Sequence, residues 1–335
     1  MTQERQRTGP LLPRFLHAAK SARIDGIAHP WTNTIPEQTP SLYPLGELGY
    51  IRVEGTDAEG FLHGQLSQKI RGLGEDEAPL AAWHSAAGRV KAIFRVLRLG
   101  EDWLLVTDDE LVDSVTADLQ RYVLHADVTL SDDGDRWRAV ALIGDSDSWL
   151  DRHDIGLGHE PGQRVSAKGS SWLRVGPQLV HVIGSAAAMK ELEAELPHGT
   201  SGEAEVAEIS LGLPRLTLEL SDRFVPQMLN LDLLGALDEN KGCYPGQEII
   251  SRTQNLGSVK RRMTRFSADL SRVPAIGTVI LNESGAAVGD VIRSSEAADT
   301  FEILAVTRLD CLDQQLVTEV ERSVPLRRVA LPYEN

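Results

Sequence analysis

The residues best suited to chemistry in this chain lie in one short segment, Lys241-Gly-Cys-Tyr-Pro-Gly-Gln-Glu248, here called the cysteine loop. A cysteine becomes a nucleophile and a metal ligand when it is deprotonated. Pro245 suits the first position of a helix, which predicts that Cys243 lies just before a helix N-terminus and close to Lys241. Because a helix terminus and an ammonium group both stabilise a thiolate, Cys243 and Lys241 are candidate catalytic residues. A lone cysteine is also a common small buried residue, and the residues alone leave that alternative open.

Basic residues are concentrated in and after the cysteine loop. Residues 241–265 contain six lysines or arginines and one acidic residue, within a chain of net charge −15. A basic cluster of this kind attracts carboxylates or phosphates, and guanidinium groups hold carboxylates through paired hydrogen bonds. A solvated basic face at a domain boundary is the alternative interpretation.

Composition narrows the class of protein to an ordinary globular one. The 335 residues suffice for two or three domains, and 41% are hydrophobic and 25% charged. The two cysteines, Cys243 and Cys311, exclude a disulfide framework, and no histidine pair near either has zinc-site spacing, so no stable metal site is predicted. The acidic balance argues against direct, strong nucleic-acid binding, and no apolar run has the length that crosses a membrane.

The first 45 residues are predicted to form an extended arm. Residues 1–23 are basic and resemble a transit peptide, but Pro10 and Pro13 interrupt any amphipathic helix and the apolar core of a secretory signal is missing. We therefore predict a cytoplasmic protein.

Two successive units then combine strands with helices. Strands are predicted at 50–54, 79–84, 91–99, 102–108 and 127–130, with helices after Asp57 and at 111–123. The pattern restarts with a strand at 137–143, a helix at 146–154, a hairpin at 171–183, a helix at 186–196 and a strand at 205–209. This order predicts two split βαβ, ferredoxin-like units in an α+β protein.

Beyond residue 263 the helices stop and short strands recur. They are predicted at 278–281, 287–293, 302–307, 317–325 and 327–331. Short strands at this spacing without helices are typical of a small β-barrel. The sequence therefore predicts a third, C-terminal barrel domain.

Four segments together resemble one known family. The octapeptide of the cysteine loop, the stretch Gly55–Leu66, the run Phe224-Val-Pro-Gln227 with Asn230, and Gly257–Arg261 resemble the YgfZ family. Its members are folate-binding relatives of the glycine cleavage system T-protein, an aminomethyltransferase. The resemblance covers roughly residues 45–333, and the octapeptide is its most specific part.

The resemblance implies a three-domain cloverleaf around a folate-binding channel. The implied limits are an arm at 1–45, a folate-binding core at 46–135 with 205–262, a second α+β domain at 136–204 and a barrel at 263–335. Cys243 becomes the functional thiol beside Lys241. The predicted binding residues for tetrahydrofolate or another folate derivative are Tyr244, Gly246, Gln247, Glu248, Arg252, Phe224, Gln227 and Asn230.

The family's function is the assembly or repair of iron–sulfur enzymes, and through one such enzyme tRNA modification. The predicted partners are therefore folate and iron–sulfur client or assembly proteins. A folate-dependent aminomethyltransferase or one-carbon transferase is one alternative, and a non-catalytic interaction scaffold is another. The segment Ser85–Arg89 lacks the aspartate that would handle a proton in amine transfer, which favours the first function and leaves it uncertain that the protein is an enzyme.

Overall fold

The computed structural model describes residues 40–255, 257, 259–298 and 300–334. Of the arm predicted at 1–45, the first 39 residues lie outside the described residues. The chain folds as two sheet-and-helix units followed by a closed barrel, so the α+β class with two split βαβ units and a C-terminal barrel is confirmed. Within the described residues, no helix is long and apolar enough to cross a membrane.

The first unit is a five-stranded antiparallel sheet with two helices on one face. Its elements are β2 (Leu48–Glu54), α1 (Ala58–Gln65), β3 (Leu80–His84), β4 (Val90–Leu99), β5 (Asp102–Asp108), α2 (Val112–Gln120) and β6 (Thr129–Asp132). The strand order is β3-β4-β5-β2-β6. Leu62 of α1 and Leu119 of α2 are fully buried against the sheet, because the apolar side chains of each helix recur on one face.

The second unit repeats this plan, with an unexpected edge strand. It contains β7 (Arg138–Ile143), α3 (Ser146–Arg152), β8 (Arg164–Ala167), β9 (Ser170–Gly176), β10 (Leu179–Gly184) and α4 (Ala186–Glu193). The end of the predicted arm is wrong, because Ser41–Pro44 form strand β1, which pairs with β7 at the edge of this sheet. The apolar side chains of Leu42 and Tyr43 are buried on opposite faces of that sheet, which explains why the segment is a strand.

A predicted strand at 205–209 is also wrong, because these residues belong to helix α5 (Ser201–Ser210). Thr200 and Glu203 form a complete capping box, which fixes the start of the helix. Ala204 and Ala207 of α5 pack on the second sheet, on the face that α3 and α4 leave open. The same face of the sheet also packs against the first unit.

The barrel is closed by six strands in the order β11-β14-β13-β12-β15-β16. Helix α6 (Gln247–Asn255) precedes it, and its strands are β11 (Arg261–Ala268), β12 (Val279–Leu281), β13 (Ala287–Ala297), β14 (Thr300–Arg308), β15 (Leu316–Thr318) and β16 (Pro325–Val329). Strand β13 also contacts α5, so the barrel is joined to both other units through that helix. The limits between the three domains otherwise stay predictions.

Candidate functional site

The cysteine loop is fixed by its first and fourth residues, which are buried while Cys243 is exposed. The Nζ group of Lys241 donates hydrogen bonds to the carbonyl oxygens of His63 and Leu66 at the end of α1. It also lies 5.0 Å from the ring centroid of Tyr244. Burial lowers the pKa of Lys241 to about 8, while Asp238 acts in the opposite direction. Lys241 therefore anchors the loop to the first unit.

Two glycines let the cysteine loop approach the turn between β3 and β4. Gly246 has φ +77° and Gly88, in that turn, has φ +70°. A Cβ atom on Gly246 would lie 2.6 Å from the carbonyl oxygen of Ser85 and 2.7 Å from the Cα of Gly88. No side chain fits this contact, so glycine is required at Gly246. The Cys243 thiol therefore lies on a loop that Lys241 anchors before it and Gly246 anchors after it. Helix α6 begins at Gln247, four residues after Cys243.

His84 lies beneath the cysteine loop and was not among the residues predicted for the site. It is 1% exposed, its ring lies 5.8 Å from that of Tyr244 at 39°, and neither ring nitrogen has a hydrogen-bond partner among the described residues. Burial, with a smaller effect of Lys241, lowers the pKa of His84 to about 3. The ring is therefore neutral at physiological pH.

The burial of the His84 ring predicts that the folded protein loses stability in acid and that His84→Phe makes this loss smaller. The unfolded state binds a proton near the ordinary pKa of 6.5, whereas the folded state does so only near 3, so stability falls as pH drops through that window. The full difference corresponds to roughly 4–5 kcal/mol at about 1.4 kcal/mol per pH unit. Urea unfolding of His84→Phe between pH 7 and 4 should show a flatter profile, while the exposed control His125→Phe should follow the wild type. Equal profiles for both variants would contradict the prediction.

The largest charged cluster of the described residues lies elsewhere, at the junction of the three domains. Arg293 of β13 is buried, with Nε 2.6 Å from Oε1 of Glu205 and Nη2 2.5 Å from Oε2 of Glu208, both on α5. Glu208 also lies 2.9 Å from Nε2 of His181 on β10. Burial alone would raise the pKa of Glu208, but Arg293 and His181 hold it well below its usual range. The carboxylate is therefore ionised in the folded protein.

Arg215 extends this cluster, the junction network, to the first unit. Its Nη1 lies 3.0 Å from Glu205 and its Nε 3.3 Å from Asp108, and it also pairs with Glu47. Burial raises the pKa of Asp108 to about 6, against the effect of Arg215. A void of about 20 Å³ beside Glu205 and Arg215 has room for about one water. The only sequence signal for the network was the i, i+3 spacing of Glu205 and Glu208, which the incorrect strand prediction hid.

The sequence and the fold of this chain were each compared with known proteins. No family model matches the chain. The tRNA-modifying protein YgfZ of Colwellia psychrerythraea is 29% identical over 285 residues, which cover 80% of this chain and 87% of that protein. The tRNA-modifying protein YgfZ of Escherichia fergusonii is 24% identical over 315 residues, covering 88% and 93%. The glycine cleavage system aminomethyltransferase T of Bartonella henselae has the same fold, with a TM-score of 0.69 at 17% identity over 89% of this chain and 87% of that one.

The chain therefore resembles the YgfZ proteins over most of its length, as predicted. Its fold is that of aminomethyltransferase T, and its cysteine loop is the segment that carries the family resemblance. The family resemblance implies folate as a ligand, so the predicted folate-binding residues can be tested against their positions.

Three of those residues, Phe224, Gln227 and Asn230, are buried in the interior. Gln227 is fully buried and its Nε2 donates to the carbonyl of Ile250 at 3.1 Å. Asn230 has φ 55° and its Nδ2 donates to the carbonyl of Met263 at 2.8 Å. Phe224 is buried in the main core of the first unit. These side chains connect the core to α6 and the barrel.

The remaining predicted residues lie in the cysteine loop or on the exposed part of α6. Glu248 and Arg252 form an ion pair of 3.2 Å with side chains that are 84% and 66% exposed, a pair that contributes little. Gln247 is half-buried, Tyr244 packs under the loop and Gly246 serves the turn contact. The predicted residues are thus divided among the buried core, the cysteine loop and the exposed part of α6, and their role in folate binding stays a prediction.

The basic cluster predicted at 241–265 is also not one surface. Arg262 pairs with Asp232 at 2.8 Å, and the buried Arg265 pairs with Glu302 at 2.7 Å. With Lys241 committed to α1, half of the six charges are used inside the protein. In the part of the chain that the structure describes, no group of three or more His, Cys, Asp or Glu side chains could hold a metal ion.

Proposed function

We propose that this protein supports tRNA modification by maintaining iron–sulfur enzymes, with Cys243 as its functional thiol, in the cytoplasm. The observation that carries the proposal is the exposure of Cys243 on a loop whose neighbours Lys241 and Tyr244 are buried. The YgfZ relatives of matching length, which are named tRNA-modifying proteins, support the assignment to tRNA modification.

The site can present a single exposed thiol to a second macromolecule. Lys241 and Gly246 hold the loop in place, so little conformational entropy is lost when a partner reaches Cys243. A thiolate is a ligand for iron, and a cluster needs further ligands. The partner would supply those ligands, so the bond formed is between the sulfur of Cys243 and an iron of the client protein, with loss of the thiol proton to solvent.

The proposal includes folate as a ligand, as the resemblance to the YgfZ family implies. The void in the junction network has room for about one water, so folate does not fit there. The exposed guanidinium group of Arg252 can pair with a carboxylate of the glutamate tail. Bound folate would supply one-carbon chemistry.

Titration with tetrahydrofolate tests the predicted contact at Arg252. We expect Arg252→Gln to weaken binding at least about tenfold, the effect of losing one charge-assisted contact. Arg327→Gln, which removes an exposed arginine of the barrel surface, is the control and should leave affinity unchanged. Isothermal titration calorimetry of the purified variants measures this difference, and equal affinities of the wild type and Arg252→Gln would contradict the contact.

The aminomethyltransferase alternative has less support, because the turn 85–89 carries no acidic side chain near the cysteine loop. Amine release from an aminomethylated carrier protein in the presence of tetrahydrofolate would favour it. The scaffold alternative predicts that Cys243 is dispensable, which the variant Cys243→Ser tests.

Deletion of the gene in its own organism tests the proposed function directly. Nucleosides from total tRNA are analysed by mass spectrometry, and the activity of an iron–sulfur dehydratase is assayed in the same extracts. Reduced thiomethylated nucleosides and reduced dehydratase activity, both restored by the wild-type gene, are the expected result. Unchanged levels of both would refute the proposal.

A further inference from the structure

We infer that a cleft between the two sheet units binds an aliphatic polyamine. The cleft has a volume of about 710 Å³ and is distinct from the cysteine loop. Its edges are the segment joining β1 to β2, the turn between β6 and β7, and helix α4. A cavity of this size is typical of small-ligand sites.

Part of the floor of the cleft is apolar, although polar groups make up most of its exposed lining. The apolar part includes Leu45, Leu48, Trp137, Val140 and Met189. Trp137 is fixed in place because its Nε1 donates to Asp133 at 2.7 Å. Such a floor suits a chain of methylene groups.

The rim of the cleft is strongly acidic. Four exposed carboxylates line it, from Asp109, Asp132, Asp135 and Glu193. The single cationic side chain of the lining, Arg138, directs Nη1 to the carbonyl oxygens of Gly134 and Trp137, at 2.8 and 2.7 Å. The guanidinium group of Arg138 is thus bonded to backbone carbonyl oxygens. The four carboxylates outnumber this one positive charge, so the rim is negative and attracts cations.

A buried hydroxyl without a partner provides the second, independent sign of a ligand. Tyr50 of β2 lines the cleft and is 3% exposed, and among the described residues its hydroxyl oxygen has no hydrogen-bond partner. Burial raises the pKa of Tyr50, while the lining residues Arg138 and Asp109 act on it in opposite directions. Buried polar groups are almost always paired, so an unpaired hydroxyl facing a cleft indicates a missing partner.

These features together select the chemical class of the ligand. Carboxylates distributed around a partly apolar floor match ammonium groups separated by methylene chains, with the Tyr50 hydroxyl accepting from one N–H. A divalent metal would need several oxygens converging at short distance, and the described residues contain no such cluster. An anion would be repelled by the rim.

Titration with spermidine tests the site, with full-length protein at physiological salt concentration. We expect saturable binding of one molecule per chain, weakened at least about tenfold in Asp109→Asn/Asp135→Asn and about threefold to tenfold in Tyr50→Phe, the range for loss of single hydrogen bonds. The matched control is Asp151→Asn/Asp313→Asn, which removes two exposed carboxylates outside the cleft and should bind as the wild type does. Because Phe retains the ring of Tyr50, this variant is expected to fold, and its circular dichroism verifies that.

Three results would overturn the inference. They are the absence of saturable binding, an equal loss in the control variant, and full displacement of spermidine by equimolar Mg²⁺, since the last two indicate general attraction to an acidic protein. The outcome is independent of the proposed function, which depends on Cys243 and is measured by tRNA nucleosides.

Discussion

Replacing Cys243 by serine is expected to abolish the contribution of this protein to tRNA modification while leaving its fold unchanged. The thiol is exposed, and surface substitutions away from special backbone or charge features usually change stability by less than about 0.5 kcal/mol. Serine keeps the size of the side chain but is a much poorer iron ligand and nucleophile at neutral pH. Thiomethylated tRNA nucleosides, measured in a deletion strain that carries the variant gene, should therefore stay at the level of the deletion.

Cys311→Ser is the matched control for this experiment. Cys311 is buried in the core of the barrel, so the same substitution places a hydroxyl in an apolar environment and is expected to cost about 1–3 kcal/mol of stability. Its function per folded molecule should nevertheless be retained. If Cys243→Ser restores the nucleosides as well as the wild type does, the thiol is dispensable and the scaffold alternative is correct.

Local patterns in the sequence predicted most strands and helices of both units and the barrel, because apolar periodicity reflects which face is buried. They did not predict β8 and β11, and they failed where a residue's role depends on distant partners. Ser41–Pro44 became a strand because β7 offers a free edge, and the strand predicted at 205–209 is part of α5, whose capping box of Thr200 and Glu203 lies just before it. Pairing partners far along the chain leave no local signal.

The candidate site also has features that local sequence predicts and features that depend on distant partners. The cysteine loop was identified from eight consecutive residues, and the exposure of Cys243 agrees with a functional thiol. Lys241, by contrast, was interpreted as reactive but is bonded to α1 carbonyls. His84 and Tyr50 could not be selected from sequence, because an unpaired buried polar group is defined only by what surrounds it.

Arg293→Met is expected to destabilise the protein by about 3–5 kcal/mol, the cost of breaking a buried ion pair from one side. The substitution leaves Glu205 and Glu208 buried at the domain junction with Arg215, His181 and the more distant Arg95 as neighbours. Arg327→Met is the matched control, since its pair with Asp269 on the barrel surface is about half exposed and such pairs contribute at most about 1 kcal/mol. Urea unfolding at pH 7 measures both variants.

The pH dependence of the destabilisation by Arg293→Met distinguishes the loss of its ion pairs from the loss of its packing. In the wild type, Arg293 and His181 hold the pKa of Glu208 below its usual range, so that stabilisation is present above the unfolded pKa of about 4.5 and is lost as pH falls. In Arg293→Met, burial raises the pKa of the Glu208 carboxylate above its value in the unfolded chain. The cost of burying its charge is therefore full at pH 7, and it decreases as the carboxylate becomes protonated at lower pH. The difference between wild type and Arg293→Met should therefore narrow from pH 7 to pH 5, and Glu205→Gln/Glu208→Gln added to Arg293→Met should recover part of the loss at pH 7. A difference that stays constant with pH, and no recovery in the triple variant, would mean that Arg293 stabilises the junction through packing of its aliphatic stem.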